Sequence, residues 1–205
     1  MHKTLLIFNP NSDRGRAGQK ASDLRAVIDE MGGADWRGTE YPFHATEIVK
    51  EAGQQYETVA ALGGDGTVHE VVNGLMKIEA AQRPKLGIVP IGSGNDFAHA
   101  AGIELNPQAA VKRVFTGAPK PVDVALITDG TGRSEYFDNT DGIGFDAAIN
   151  IRSRTIHHLQ GFVMYLTATL LTIARDFAAP HMKVTYDGGT LDQPILMLTV
   201  GNGPR

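Results

Sequence analysis

The sequence predicts an α/β protein, with a doubly wound, mostly parallel sheet over residues 1–122 and a mostly antiparallel, β-rich unit over residues 123–205. Three observations carry that prediction. From Lys3 to about Asp123, short apolar runs alternate with stretches of helical periodicity, as successive βα units require. Two of the strand-like runs lead straight into glycine loops that open helices, the arrangement found at the carboxyl edge of an open parallel sheet. Beyond Pro119 and Pro121 the texture changes to short strand-like runs, which suit antiparallel pairing.

In chain order, residues 3–8 form an apolar run ended by Asn9-Pro10 and read as the first strand. Ala17, Ala21, Leu24, Val27, Ile28 and Met31 share one face at helical spacing, and Gly32-Gly33 ends that helix. A second strand is expected over residues 34–39, a helix over 44–52 and a third strand over 57–62. Val68, Val71, Val72, Leu75 and Met76 then make a clean helical stripe, followed by a fourth strand at 86–90 and helices at 96–101 and 108–115. In the second unit strands are expected at 121–127, 134–139, 182–186 and 195–200, with one helical stretch among them. Few strands remain to close a second sheet before Arg205, so the natural protein is expected to continue past it.

With 42% hydrophobic residues in 205, the chain can bury a sizeable core without staples. It has no cysteine, which excludes disulfides, thiolate metal sites and cysteine nucleophiles and leaves oxygen or imidazole for any metal. A net charge of -4 gives no general attraction to nucleic acid or anionic membranes, so phosphate binding must be local. The first eight residues lack the longer apolar region and cleavage site of a signal peptide. Residues 161–173 are too short and too rich in threonine to span a bilayer. A cytoplasmic protein is expected.

Gly63-Gly64-Asp65-Gly66-Thr67 is the strongest local signal. Its glycines allow a sharp turn and a close backbone approach to an anion, and the helix start beyond them points N–H groups and a positive dipole end at phosphate. Asp65 repels phosphate unless a divalent cation lies between. It therefore points to Mg²⁺ held with a nucleotide, or to proton removal from an acceptor hydroxyl; in an ordinary strand-to-helix turn it would be an N-cap. Pro90-Ile91-Gly92-Ser93-Gly94-Asn95-Asp96 follows the fourth strand in the same way and is expected on the same edge. Ser93 and Asn95 are candidate donors to phosphate or ribose oxygens, and Asp96 a helix cap. Asn9-Pro10-Asn11-Ser12, with Arg14 and Arg16, follows the first strand and should open there too. The Gly-Lys-Ser/Thr of a P-loop is absent. Gly142-Ile143-Gly144-Phe145-Asp146-Ala147 matches the loose dinucleotide fingerprint but lies late, without a following βαβ unit. Asp141 and Asp146 stand there as carboxylates able to face a cleft or to serve a turn. His69-Glu70 lacks the second histidine of a zinc helix, since Asn73 occupies that place.

Asn9-Pro10, Thr39 with His44-Ala45, the GGDGT loop, PIGSGNDFA over residues 90–98 and NTDGIGFD over 139–146 resemble, across essentially the whole chain, the diacylglycerol kinase catalytic-domain family, including the bacterial lipid kinases. GGDGT is shared with NAD kinases and 6-phosphofructokinases; the other two motifs point to the lipid branch. The resemblance implies ATP and Mg²⁺ as cofactors, an N-terminal α/β domain that binds the nucleotide, and a β-sandwich domain closing over the cleft. It implies ATP contacts at Asn9, Pro10, Asn11, Ser12, Asp13 and Thr39, at Gly63, Gly64, Asp65, Gly66, Thr67, Val68 and His69, and at Gly92, Ser93 and Asn95. Ser93 stands where Thr is commoner and keeps the hydroxyl. Asp65 and Asp146 are the catalytic candidates and Asp65 the metal candidate; Asp146 matches an acidic residue beside the lipid head group in related sphingosine kinases. Gly161 and Tyr165 match a helix that is structural or near the lipid entry.

The implied activity is transfer of the ATP γ-phosphoryl group to a hydroxyl of a lipid such as diacylglycerol. An NAD kinase-like phosphotransferase and a non-catalytic nucleotide-binding module are the alternatives. Transient contact with a membrane surface and a homodimer are compatible with the reading. The family's general base, a later acidic residue, and its glycine-rich continuation after Asn202-Gly203 do not occur before Arg205, so a catalytic group is expected beyond it.

Overall fold

The computed structural model describes residues 3–10, 16–153, 155, 156, 159 and 161–202. The elements begin with β1 (Thr4–Phe8), α1 (Arg16–Asp23), α2 (Arg25–Glu30), β2 (Asp35–Gly38), α3 (His44–Ala52), β3 (Thr58–Gly63) and α4 (Asp65–Leu75). They continue with β4 (Lys85–Pro90), α5 (Asp96–Ala100), α6 (Pro107–Thr116), β5 (Ala125–Thr128) and β6 (Ser134–Phe137). The last are β7 (Thr140–Gly144), α7 (Phe145–Ser153), α8 (Gly161–Asp176), β8 (His181–Tyr186), β9 (Gly189–Pro194) and β10 (Met197–Gly201). Contacts divide the chain into two units, Met1–Asn139 with Asn202–Arg205, and Thr140–Gly201.

The first unit is built on a parallel sheet of order β2-β1-β3-β4. Its two central strands are buried on both faces, so they read as continuous apolar runs rather than alternating ones. Pleating sends Leu5, Ile7, Val59 and Ala61 into a core with Ala45 and Val49 of α3 and Val68, Val71 and Leu75 of α4. Leu6, Ala60, Leu62 and Val89 face the other way, onto Ala17 and Ala21 of α1, Ile28 of α2, and Ala110 and Val111 of α6. Helices cover both faces, as the doubly wound reading requires.

Where one helix is expected over residues 17–31, two are found. The Leu24 N–H bonds back only three residues, to the Ala21 carbonyl at 3.2 Å, while the Ile28 N–H reaches the Leu24 carbonyl at 3.0 Å. One turn is thus tightened between α1 and α2 without breaking the apolar face that both present to the sheet.

The antiparallel hairpin β5–β6 belongs by its contacts to the first unit, although composition changes near residue 122. Asn73 of α4 is the reason. Its buried amide donates to the Tyr136 carbonyl at 2.9 Å and accepts from the Tyr136 N–H at 2.9 Å, pairing with β6 as a neighbouring strand would.

The second unit contains the antiparallel ladders β7–β10 and β8–β9 and the helices α7 and α8. The sequence pattern missed β7 and β9. Every residue of β9 is exposed, so no inside–outside alternation marks it. The available signal was Asp187-Gly188, the two-residue connection between the paired Tyr186 and Gly189, a strong hairpin dipeptide. The single expected helical stretch is α7 and α8. Among the described residues no helix is long and apolar enough to cross a membrane.

Candidate functional site

Parallel pairing carries β3 and β4 to a common edge with Gly63 opposite Pro90, and the Ile91 N–H donates to the Gly63 carbonyl at 3.0 Å. The two glycine loops therefore leave the sheet side by side. They touch through glycines: a Cβ on Gly92 would lie 2.4 Å from the Gly64 Cα, and one on Gly64 would lie 3.2 Å from the Gly92 Cα. Side chains at either place would force the loops apart. Gly63 is closed in as well, since a Cβ there would come within 2.3 Å of the Thr67 hydroxyl. Gly66 differs. A Cβ on it would meet nothing within 4 Å, so its Cα faces open space in the loop where helix α4 presents its first N–H groups.

Asp65 ties the loops together. One carboxylate oxygen accepts from the Asn95 N–H at 2.8 Å and the other from the Phe97 N–H at 3.2 Å, so Asp65 caps helix α5 from the neighbouring loop. Each oxygen keeps a second lone pair. Asn95 adopts a left-handed conformation, φ 61°, which Asn tolerates. Its side chain closes the second loop by accepting from the Gly92 N–H at 3.1 Å and donating to the Gly92 carbonyl at 2.9 Å. Both its polar ends are engaged in shaping the loop, whereas Ser93 is exposed. Val68 has its side chain in the core, leaving only its backbone to the site.

A cavity of about 140 Å³ opens on this edge, lined by Asn9, Thr39, Gly64, Gly66, Thr67 and Glu70. It draws on the ends of β1, β2 and β3 together, at the place where an open sheet binds ligands. Whole small-molecule sites run to roughly 300–1,000 Å³, so this one suits part of a ligand. Pro10 follows Asn9 here; Asn11, Ser12 and Asp13 lie outside the described residues. Glu70 escaped the sequence reading. Its carboxylate accepts from the Ala45 N–H at 3.1 Å and its carbonyl from the Thr46 hydroxyl at 2.7 Å, locking the start of α3 to α4. Glu70 is one helical turn beyond Thr67 on α4, and that spacing was the signal available. A larger groove of about 360 Å³ runs beside β4, Phe97 and α6, lined mostly by apolar groups, and includes none of these loop residues.

The hairpin β5–β6 supplies the flank. His69 on α4 pairs through Nε2 with Glu135 Oε1 at 2.7 Å, and Arg133 reaches the other oxygen of Glu135 at 2.9 Å. The hydrogen bond from His69 holds the Glu135 carboxyl below its ordinary range. Just past β6, Asp138 is 8% exposed and its carboxyl is raised by burial, with the charge of Asp65 acting in the same direction.

Asp146 belongs to the second unit, in the first turn of α7. Its carboxylate folds back over Gly142, where a Cβ would come within 2.2 Å of Oδ2, and Gly144 turns with φ 87°. Asp141 lies in β7 opposite Val200, and Tyr165 is on α8 with about half its surface exposed.

Residues 3–127 match the family model for the diacylglycerol kinase catalytic domain. The chain is 36% identical over 146 residues to a protein of Chromohalobacter salexigens named "Probable lipid kinase YegS-like", covering 71% of this chain and 45% of that protein. It is 28% identical over 205 residues to a diacylglycerol kinase of Bacillus subtilis, covering 98% of this chain and 65% of the other. A crystal structure of a diacylglycerol kinase from Bacillus anthracis str. Sterne superposes with a TM-score of 0.75 at 30% identity, covering all of this chain and 65% of that one. The chain thus spans about half to two thirds of the relatives it matches.

Proposed function

The chain belongs to the diacylglycerol kinase catalytic-domain family, and from that premise we propose that it is the nucleotide-binding part, with some of the acceptor side, of an ATP-dependent lipid kinase. The observation that carries this reading is the contact of Gly64 with Gly92 beside the open Gly66, which leaves the first turn of α4 and bare glycine backbone facing one cavity. Such a rim suits a polyphosphate, because main-chain N–H groups bind without repulsion and without adding bulk. In phosphoryl transfer the protein contributes position and charge rather than covalent chemistry. Here the first turn of α4 would hold phosphate oxygens, and Asn9, Thr39 and Glu70 would bound the rest of the nucleotide.

The residues also fit Mg²⁺. Among the described residues no three His, Cys, Asp or Glu side chains gather, which disfavours an all-protein cage. Mg²⁺ characteristically takes one or two carboxylates together with phosphate oxygens and water, and the second lone pairs of Asp65 are available for it. When bound, the ion would neutralise charge between Asp65 and the phosphates. Asp146 stands as the acceptor-side carboxylate. The exposed apolar side chains of α8, among them Val163, Leu166, Leu170 and Ile173, support an acceptor with acyl chains.

Titration calorimetry with ATP and Mg²⁺ tests the site. Wild type binds, while Gly66→Ala folds normally and binds about tenfold more weakly or worse, since its methyl occupies the phosphate space. Equal affinity would remove this loop from the nucleotide site. A phosphorylation assay with diacylglycerol vesicles and with NAD then decides the acceptor: label on the lipid supports the proposal, and label on NAD alone replaces it with an NAD kinase-like activity.

A further inference from the structure

We propose that the open edge of β4 is a docking site for an extended, acidic peptide segment of a partner protein, which adds to the sheet as a further strand. The order β2-β1-β3-β4 gives β4 a neighbouring strand on one side only. Along a parallel pair, alternate residues turn their N–H and C=O groups toward the neighbour. The Lys85 N–H donates to the Glu57 carbonyl at 2.9 Å and the Ile91 N–H to the Gly63 carbonyl at 3.0 Å, so Lys85, Gly87 and Val89 face β3 while Leu86, Ile88 and Pro90 face outward. Pro90 agrees with that parity, since proline is tolerated where the strand has no neighbour to bond. The outward N–H and C=O groups of Leu86 and Ile88 have no hydrogen-bond partner among the described residues, although Ile88 is only 5% exposed. A row of unpaired backbone groups is a template for another strand.

There is room for one. The groove of about 360 Å³ beside β4 is lined by Leu86 and Ile88 themselves and runs between the helices of the two sheet faces. Phe97 of α5 and Ile103 just beyond that helix form one wall, and Ala110 and Val114 of α6 the other. Successive side chains of an added strand point to opposite faces of the sheet, so apolar residues on the incoming segment would meet these walls while its backbone meets the edge.

Charge selects the occupant. Lys85, Arg113 and Lys120 line the groove, and no aspartate or glutamate does. All three are exposed, and none has an ion-pair partner among the described residues. The chain as a whole carries a net charge of -4, so this cationic rim runs against the general balance. Complementary charge favours an acidic segment and steers its encounter. A second copy pairing β4 with β4 would instead bring the same cations together across a two-fold axis. An acyl chain would fill the groove but leave the outward N–H groups of Leu86 and Ile88 unbonded. Strand addition satisfies them, with main-chain hydrogen bonds giving affinity and alternate side chains giving specificity.

The test uses the full chain with a synthetic, capped peptide of alternating valine and glutamate, a counterpart with lysine for glutamate, and decanoate as an acyl probe. Fluorescence anisotropy reads binding and amide hydrogen exchange reads its place. The glutamate peptide is expected to bind saturably and to slow exchange at Leu86 and Ile88, while Lys85 and Gly87, already bonded to β3, stay unchanged. The lysine peptide binds about tenfold more weakly or not at all. Arg113→Gln combined with Lys120→Gln, at two exposed positions, weakens the glutamate peptide by a similar factor with an unchanged melting temperature. No saturable binding of the glutamate peptide overturns the proposal, and so does binding without slowed exchange at Leu86 and Ile88. Decanoate binding in place of the peptide makes the groove a lipid site instead. Slow exchange at both amides in the unliganded protein that quickens on dilution puts a second copy on the edge and overturns it too. Because neither nucleotide nor acceptor is present, every result is independent of the kinase reading.

Discussion

Asp65 shows how much of the site a residue-by-residue reading of the sequence reaches. The GGDGT pattern marks it as a carboxylate among phosphate-binding glycines, and either a metal role or a capping role is legible there. The helix it caps is not legible, because the partner amides lie thirty and thirty-two residues away, at Asn95 and Phe97. The consequence is testable. Asp65→Asn retains one acceptor oxygen for two donors, so it should lower stability by roughly 1.5–3 kcal/mol, the scale of a hydrogen bond to a charged group, as well as weaken ATP binding. Urea denaturation beside ATP titration checks both; unchanged stability would mean the cap is not stabilising. Asp138 gives the opposite sign. Its folded-state pKa is raised above the ordinary 3.8, so the folded protein holds this proton more tightly and loses stability as pH rises from about 3.8 through the higher folded value. Asp138→Asn should therefore be more stable than wild type at pH 7, a difference that vanishes as pH falls to about 3.8; urea denaturation at the two pH values checks it. Glu135 is lowered, so its contribution is present above 4.5 and lost as pH falls through its folded value.

Among the elements, the parallel sheet was legible because its strands are buried on both faces and its helices carry apolar stripes, signals that survive in one dimension. The α1–α2 junction was not, because Leu24 belongs to the same apolar face whether the turn there is α or tightened. The docking of β5–β6 was not legible either: Asn73 looks like any polar helix residue until it pairs with Tyr136. Two substitutions separate these forces. Asn73→Ala leaves the Tyr136 N–H and carbonyl without partners and should cost roughly 2–3 kcal/mol, with early loss of protection at the Tyr136 amide in hydrogen exchange. Gly74→Ala tests packing, since its Cβ would lie 2.5 Å from the Val49 Cβ and 2.9 Å from the Thr46 carbonyl. Helix propensity favours the change by about 1 kcal/mol, yet overpacking of α3 against α4 costs about 1–3 kcal/mol. A net loss of stability is expected because backbone cannot move aside as a side chain can, and a stabilised variant would show that α3 and α4 slide apart freely.

For the whole molecule, the division of labour between the two units makes a sharper claim than either unit alone. Every residue lining the cavity at the glycine rim lies in the first unit, whereas Asp146 lies in the second, at the start of α7. If nucleotide binding is complete within the first unit, Asp146→Asn should leave ATP affinity and melting temperature unchanged. If Asp146 acts on the acceptor, the same variant should lose phosphoryl transfer to lipid by about 10²-fold or more, the usual scale for removing an acid or base group. Asn is close to isosteric with Asp, so it still fits over Gly142, where the carboxylate already fills the place of a Cβ. Gly142→Ala, by contrast, should displace Asp146 and reduce transfer through its position. A pH–rate profile distinguishes the two losses. The positioning variant keeps the wild-type profile at lower amplitude, and the variant lacking the carboxylate loses whichever limb that group produces. Wild-type turnover in Asp146→Asn would assign the acceptor side to other residues while leaving the nucleotide site of the first unit intact.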